Sequence, residues 1–258
     1  MLTLEQLQNY IPGDIYNKNK KAALVEYLQY EVLESIYKEK TAFQLCFIGG
    51  TAIRIIYNSA RFSEDIDFDN FGLSFQEFDA LLNKACKNME LKGFQIEIKI
   101  IEKGAYHCFI RFPEILYKAG ITTNTREKIL VKVDAEQKQK YYNPQRVLIN
   151  KFGIYQNILS APADVLLAQK IMTIIDRKRE KGRDLYDVSF LLGLTRPNYK
   201  YLEDCYNLNE AEIKNKLVQR VKELDLEYLA RDVEPFLFFP EQKQRVLSFD
   251  NYIKQVLG

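Results

Sequence analysis

Residues 47–70 read FIGGTAIRIIYNSARFSEDIDFDN, and they divide into the end of a strand, a glycine turn, a helix and a second strand. The run FQLCFIG (43–49) is short, apolar and ends in Gly-Gly, which reads as a buried strand entering a turn. TAIRIIYN then has helical character. SEDIDFDN alternates: Ile66 and Phe68 point one way, while Asp65, Asp67 and Asp69 point the other, which is the period of a strand.

Working outward, residues 19–39 carry apolar positions at helical spacing, and SFQEFDALLNKACKNME (74–90) is an amphipathic helix. Three further strands are expected at 94–101 (FQIEIKII), 105–112 (AYHCFIRF) and 126–136 (REKILVKVDAE). The character changes near Ala161. From PADVLLAQKIMTII onward nearly everything has helical period, with Pro162 in a first turn. The fold expected is therefore α/β, a mixed sheet with helices over residues 1–158, followed by an all-helical domain over 159–258. FLFFP (236–240) is read as core rather than as an exposed docking patch.

Composition narrows the function. Hydrophobic residues make up 47% and aromatics 13% of the 258 residues, as in a packed globular protein. The net charge of +2 is far from that of a chain that coats DNA non-specifically. The N-terminus has no basic and apolar leader, and no run approaches a membrane span, so a cytoplasmic protein without membrane contact is expected. Cys46, Cys86, Cys108 and Cys205 lack metal or redox spacing and read as reduced, buried thiols. With His107 as the sole histidine, histidine triads and zinc clusters are disfavoured, and His107 reads as a packed strand residue.

The chemistry is carried by Gly49-Gly50-Thr51 and by Asp65-Ile66-Asp67. On a strand, residues i and i+2 share a face about 6–7 Å apart. Two such carboxylates can hold two divalent ions roughly 3.5–4 Å apart, the spacing used for in-line attack on phosphorus. Hard oxygen ligands suit Mg²⁺ or Mn²⁺. The glycine turn lets backbone N–H groups approach a triphosphate at a helix N-terminus, with the Thr51 hydroxyl available to phosphate. A third carboxylate is expected from a neighbouring strand. In ILVKVDAE, Leu130, Lys132, Asp134 and Glu136 share one face, making Asp134 the third ligand and a possible general base. Lys170, embedded in VLLAQKIMTII, needs solvent or an anion and could neutralise a triphosphate, with Arg177 on the same face. Asp184, near a helix start, could orient Lys170.

Each of these residues also has a plainer reading. Gly-Gly is most often only a turn, and Asp-x-Asp is often a solvated edge. Asp134 could be ion-paired to Lys132, Lys170 could snorkel, and Asp184 could cap its helix. Arg61 and Ser63 could brace the loop rather than touch substrate. The basic run from Asp176 to Arg183 (DRKREKGR) is either a solvated turn or a grip on an RNA backbone.

Taken together, Gly-Gly-Thr, Arg61-x-Ser63-x-Asp65-x-Asp67-Phe68, Lys132-x-Asp134, Lys170 and Arg183-Asp184-x-x-Asp187 resemble the AbiEii/AbiGii nucleotidyltransferase family over roughly residues 46–192. The resemblance implies a polymerase-β-like nucleotidyltransferase core with a helical C-terminal domain, and a toxin of abortive-infection and type IV toxin–antitoxin systems. It further implies Mg²⁺-dependent use of an NTP, tRNA or other RNA as acceptor, and a cognate antitoxin. By position, Asp65, Asp67 and Asp134 are the metal ligands. Gly49, Gly50, Thr51, Arg61, Ser63 and Lys170 face the nucleotide, and Lys170 and Asp184 match later essential motifs. The alternatives are an NTP-dependent phosphotransferase acting on protein or RNA, and a non-catalytic nucleotide- or RNA-binding module.

Overall fold

A computed structural model describes residues 1–257. The chain forms two compact units. The first comprises residues 1–52, 62–139 and 145–160, and the second comprises 53–61, 140–144 and 161 onward.

In chain order the first part contains α1 (Leu4–Gln8), α2 (Gly13–Lys18), α3 (Lys20–Tyr37), β1 (Leu45–Ile48), α4 (Gly49–Tyr57), β2 (Ile66–Asn70) and α5 (Phe75–Leu91). It continues with β3 (Glu97–Lys103), β4 (Ala105–Phe112), α6 (Ile115–Lys118), β5 (Ile129–Gln137), β6 (Gln145–Lys151) and β7 (Ile154–Ser160). All seven strands belong to one mixed sheet of the first unit, in the order β3-β4-β5-β2-β1-β7-β6. Two pairings are parallel, β2 with β5 and β1 with β7, and the rest are antiparallel.

The pleat sorts the central strands into two faces. Ile66 and Phe68 of β2, Cys108 and Ile110 of β4, and Val131, Val133 and Ala135 of β5 are all buried. α3 and α5 pack against this sheet and against each other, bringing Leu28, Leu33 and Ile36 from α3 and Phe78, Leu82 and Met89 from α5 into the core. Each helix starts where its sequence provides a cap. Asn19 Oδ1 accepts from Ala22 N–H at the start of α3, and Ser74 forms a capping box with Glu77 at the start of α5. The opposite face of β4, β5 and β2 carries the polar residues, so the alternation read in 66–68 and 129–136 fixes which face faces the core. Asp69 departs from that picture. It continues the polar face by position but is buried, near the β2 end where Asn70 Oδ1 accepts from the N–H groups of Gly72 and Leu73.

The strand expectations need correction: β1 begins at Leu45 rather than residue 43, and β5 at Ile129 rather than residue 126. β3 begins at Glu97 rather than residue 94, because Phe94 is drawn into the core against Phe112 and Tyr27 (ring centroids 6.0 and 6.2 Å). The β6–β7 hairpin, which sequence alternation did not single out, turns through Phe152-Gly153, both at positive φ (58° and 76°). That is the backbone of a two-residue primed turn, where Asn-Gly is the usual signal. The phenylalanine is held there by aromatic contacts with Tyr10, Tyr27 and Tyr30 at 5.1–5.5 Å between centroids.

The second unit is helical: α7 (Ala163–Asp176), α8 (Gly182–Leu192), α9 (Tyr199–Tyr206), α10 (Glu210–Lys222), α11 (Leu226–Val233), α12 (Gln244–Leu247) and α13 (Phe249–Leu257). α8 packs against α7, α11, α12 and α13. The FLFFP segment is partly core, with Leu237 and Phe238 buried and Phe239 exposed. Its rings also seat cations: the guanidinium of Arg54 lies 4.5 Å from the Phe238 centroid and that of Arg183 lies 4.4 Å from Phe236. Among the described residues no helix is long and apolar enough to cross a membrane, and none of the four cysteines is in a disulfide. Burial pushes the Cys86 thiol up to about 12, which suits a structural, unreactive role. Cys46, Cys86 and Cys108 are buried as expected, whereas Cys205 is half-buried.

Candidate active site

β1 runs straight into α4, and the turn between them is Gly49 at φ +78°. The antiparallel register pairs Ile48 with Asp67, so Gly49 lies under the Asp67 side chain. A Cβ built on Gly49 would overlap Asp67 Oδ2 and lie 3.1 Å from both Asp67 Cβ and Cγ. Glycine is therefore required here twice over, for its backbone conformation and for the close approach of a carboxylate.

Asp65 is exposed and immediately precedes β2, while Asp67 is half-buried within it. The segment leading to them is braced from both sides. Gln29 of α3 donates its amide to the carbonyls of Ser63 (3.0 Å) and Glu64 (2.9 Å). The Thr51 hydroxyl donates to the Asp65 carbonyl. Thr51 is 0% exposed. Its hydrogen goes to the backbone that carries Asp65, inside the protein.

The parallel register of β2 and β5 sets Asp67 beside Asp134, and the antiparallel register of β4 and β5 sets Asp134 beside His107. With strands about 4.8 Å apart, His107, Asp134 and Asp67 form a row across three strands. Asp134 Oδ1 lies 2.8 Å from His107 Nδ1, and Oδ2 accepts from the Lys132 ammonium at 2.5 Å. The plainer reading of Asp134, an ion pair with Lys132, is thus realised on the same face as Asp67. Burial alone would lower the pKa of Lys132. The hydrogen bond and charge of Asp134, joined by the fields of Asp65 and Asp67, outweigh it and raise the ammonium above its ordinary range.

For a divalent ion, the donor set that fits is Asp65 with Asp67. Mg²⁺ is typically held by one or two carboxylates and completes its shell with substrate phosphates and water. The close seat that Gly49 makes under Asp67 suits such a site. No group of three or more His, Cys, Asp or Glu side chains is arranged as a metal cluster among the described residues. Both oxygens of Asp134 are already engaged by its strand neighbours.

The remaining sequence candidates gather within the helical unit. Arg61 is 2% exposed and Asp187 is 0% exposed. They form a two-pronged pair, with Nε donating to Oδ1 and Nη2 to Oδ2 at 2.6 Å each. The Lys170 ammonium lies 2.8 Å from Asp184 Oδ1 and 3.0 Å from Asp187 Oδ2, and Arg177 donates to Asp184 Oδ2 at 2.5 Å. Burial would push the Asp184 carboxyl up, but the charges of Lys170 and Arg177 hold it below the usual carboxylate range. Burial would likewise depress Lys170, and Asp184 and Asp187 outweigh it. Arg61 is accordingly buried in an ion pair with Asp187. Ser63 is half-buried, with its carbonyl held by Gln29. Sequence reading passed over Gln29 and the His107–Asp134 contact. Neither has a local signal, since each depends on residues 27 to 35 positions apart meeting in the fold.

The family model of the nucleotidyl transferase AbiEii toxin, type IV toxin–antitoxin system, matches residues 31–246. The chain belongs to this family. AbiEii membership makes it a nucleotidyltransferase of toxin–antitoxin type, with an NTP as substrate and an antitoxin as partner. No curated protein matches the chain significantly in sequence. Among solved structures, MenT4, a nucleotidyltransferase toxin from Mycobacterium tuberculosis H37Rv, is similar at 16% identity and a TM-score of 0.57, over 98% of this chain and 90% of that one. JHP933 from Helicobacter pylori is similar at 18% identity and a TM-score of 0.56, over 92% and 91%. At such identities these likenesses establish the shared fold, α/β with a helical C-terminal region, in keeping with the AbiEii match.

Proposed function

We propose that the chain transfers a nucleoside monophosphate from an NTP to a hydroxyl of an RNA acceptor such as tRNA, with Mg²⁺ or Mn²⁺ held by Asp65 and Asp67. The observation that carries this reading is the seating of Asp67 between Gly49 and Asp134: a carboxylate pressed against a strand-to-helix glycine turn, with a second carboxylate in register on the next strand. Backbone N–H groups at the start of α4 suit the anionic phosphates of the NTP. Thr51 and Gln29 hold the Asp65 segment rigid, so the carboxylates meet the nucleotide preorganised. Asp134 is the third carboxylate of the face.

The acceptor oxygen forms a bond to the α-phosphorus as the bond to pyrophosphate breaks, and the hydroxyl proton leaves to solvent. A divalent ion at Asp65 and Asp67 supplies positive charge to the phosphoryl oxygens during that exchange. In the helical unit, the 2.8 Å pair supports Asp184 as the residue that orients Lys170. We assign substrate contact to the first unit's residues alone.

The test is incubation of the purified protein with Mg²⁺, total tRNA and each α-³²P-labelled NTP in turn, alongside Asp65→Ala. Label in RNA with the wild type and not with the variant supports the proposal. Label from γ-³²P-NTP on protein, with none from the α position, replaces it with phosphoryl transfer.

A further inference from the structure

Lys132 sits among the carboxylates of the acidic face but belongs to none of the roles assigned above. Its ammonium is 2.5 Å from Asp134 Oδ2, and it lies within the electrostatic reach of Asp65 and Asp67. The other oxygen of Asp134 is held by the His107 ring at 2.8 Å. These two contacts differ in how easily they yield. His107 is a short, stiff side chain directly opposite Asp134 in the β4–β5 ladder. Lys132 reaches its partner through a flexible four-carbon stem, its side chain is 29% exposed, and it can swing to water at little cost.

We propose that Lys132 is a built-in cation that competes with a divalent metal for the acidic face, and that a metal recruits Asp134 as a ligand only by displacing the Lys132 ammonium. The displaced ammonium then becomes a mobile cation beside the metal, on the face where a triphosphate would bring its negative charge. His107 stays in place throughout and keeps Asp134 aimed along the sheet. Binding of the ion and release of the lysine are thereby one coupled event, which discourages loss of positive charge from the face at any stage. The inference rests on the reading that Asp65 and Asp67 hold the ion.

The test is Mn²⁺ affinity, measured from the free-ion electron paramagnetic resonance signal in titrations of the intact protein without nucleotide. Lys132→Met is expected to tighten Mn²⁺ binding roughly three- to tenfold, since a competing charge within a few ångströms is removed. Lys132→Arg, which keeps the charge, is expected to stay near wild type. Unchanged or weaker binding in a folded Lys132→Met protein overturns the inference, and weaker binding marks Lys132 as a prop for Asp134. Asp67→Asn separates this from failure of the metal reading. Binding lost in Asp67→Asn but insensitive to Lys132→Met defeats only the lysine inference. If the wild type binds no Mn²⁺, or Asp67→Asn binds it as well as wild type, both ideas fall.

Discussion

The two units handle buried and half-buried charge in opposite ways. In the helical unit, Asp184 and Asp187 lie deep and every oxygen faces a cation: Arg61, Lys170 or Arg177. In the sheet unit, Asp65 is exposed, Asp67 is half-buried, and Asp134 contacts Lys132 and His107. The first arrangement satisfies its charges internally, as a structural network must if it is to be dry. The second gathers like charge on a face still reached by water, a cost to stability that a cation from outside can offset.

Removing one member of the closed set gives the largest effect expected. Asp187→Ala leaves Arg61 buried without its two-pronged partner and should cost about 3–5 kcal/mol of folding stability. Chemical denaturation measures it, and a loss below about 1 kcal/mol would sink the claim that this network is a closed, desolvated one. The double variant Arg61→Met/Asp187→Leu sharpens the point: it should recover most of that stability, since a well-packed apolar pair replaces a buried ion pair at little or no net cost.

On the open face the loss falls on turnover instead. Asp67→Asn should reduce nucleotide transfer by roughly 10²–10³-fold, in line with removing a single charge-stabilising group from a transition state. Its melting temperature should fall far less than that of Asp187→Ala, because Asp67 is only half-buried whereas Asp187 is fully buried. A comparable fall in melting temperature would instead place Asp67 among the structural charges.

A smaller effect tests the brace between the two roles. Thr51→Val keeps the buried volume but removes the hydroxyl that donates to the Asp65 carbonyl. The stability cost should be about 1 kcal/mol, with a larger proportional loss in turnover than in nucleotide affinity, because what is lost is the positioning of Asp65. Loss of nucleotide affinity alone, with turnover intact, would return Thr51 to a phosphate-binding role.

The mildest effect is a dependence on pH. The folded Asp184 carboxyl is held below its ordinary value, so its contribution is fully present above about pH 4 and is lost as pH falls toward the folded value. Lys170 is raised, so its contribution is present below about pH 10 and is lost as pH climbs through its folded value. The stability gap between wild type and Asp184→Asn should therefore shrink when denaturation is compared at pH 5 and pH 3. A gap that is flat across that interval would show that the ionised carboxylate is not what stabilises the cluster.

Much of this was readable in short stretches of chain. The period-2 alternation of Ile66, Asp67 and Phe68, and of Val131 through Ala135, assigned the faces of β2 and β5, because a pleat sends neighbours to opposite sides whatever the rest of the fold does. Gly49 beside a strand end announced a turn, and apolar spacing placed the helices α3 and α5. Helical spacing alone separated the C-terminal part from the sheet. These are local properties, set within a few residues by backbone geometry and side-chain polarity.

What the tertiary structure decided are the pairings that local pattern leaves open. Arg61 meets a carboxylate 126 residues away, and that distant partner makes it a brace. His107 reads as an ordinary strand residue until the β4–β5 register sets it beside Asp134. Phe152 hides a hairpin turn because three tyrosines from the N-terminal helical region stabilise a backbone conformation that phenylalanine alone avoids. Residues 53–61 and 140–144 read as parts of the first domain, yet they cluster with the helical unit. In each case the deciding energy comes from contacts between segments far apart in sequence, so no window of sequence contains both halves of the interaction.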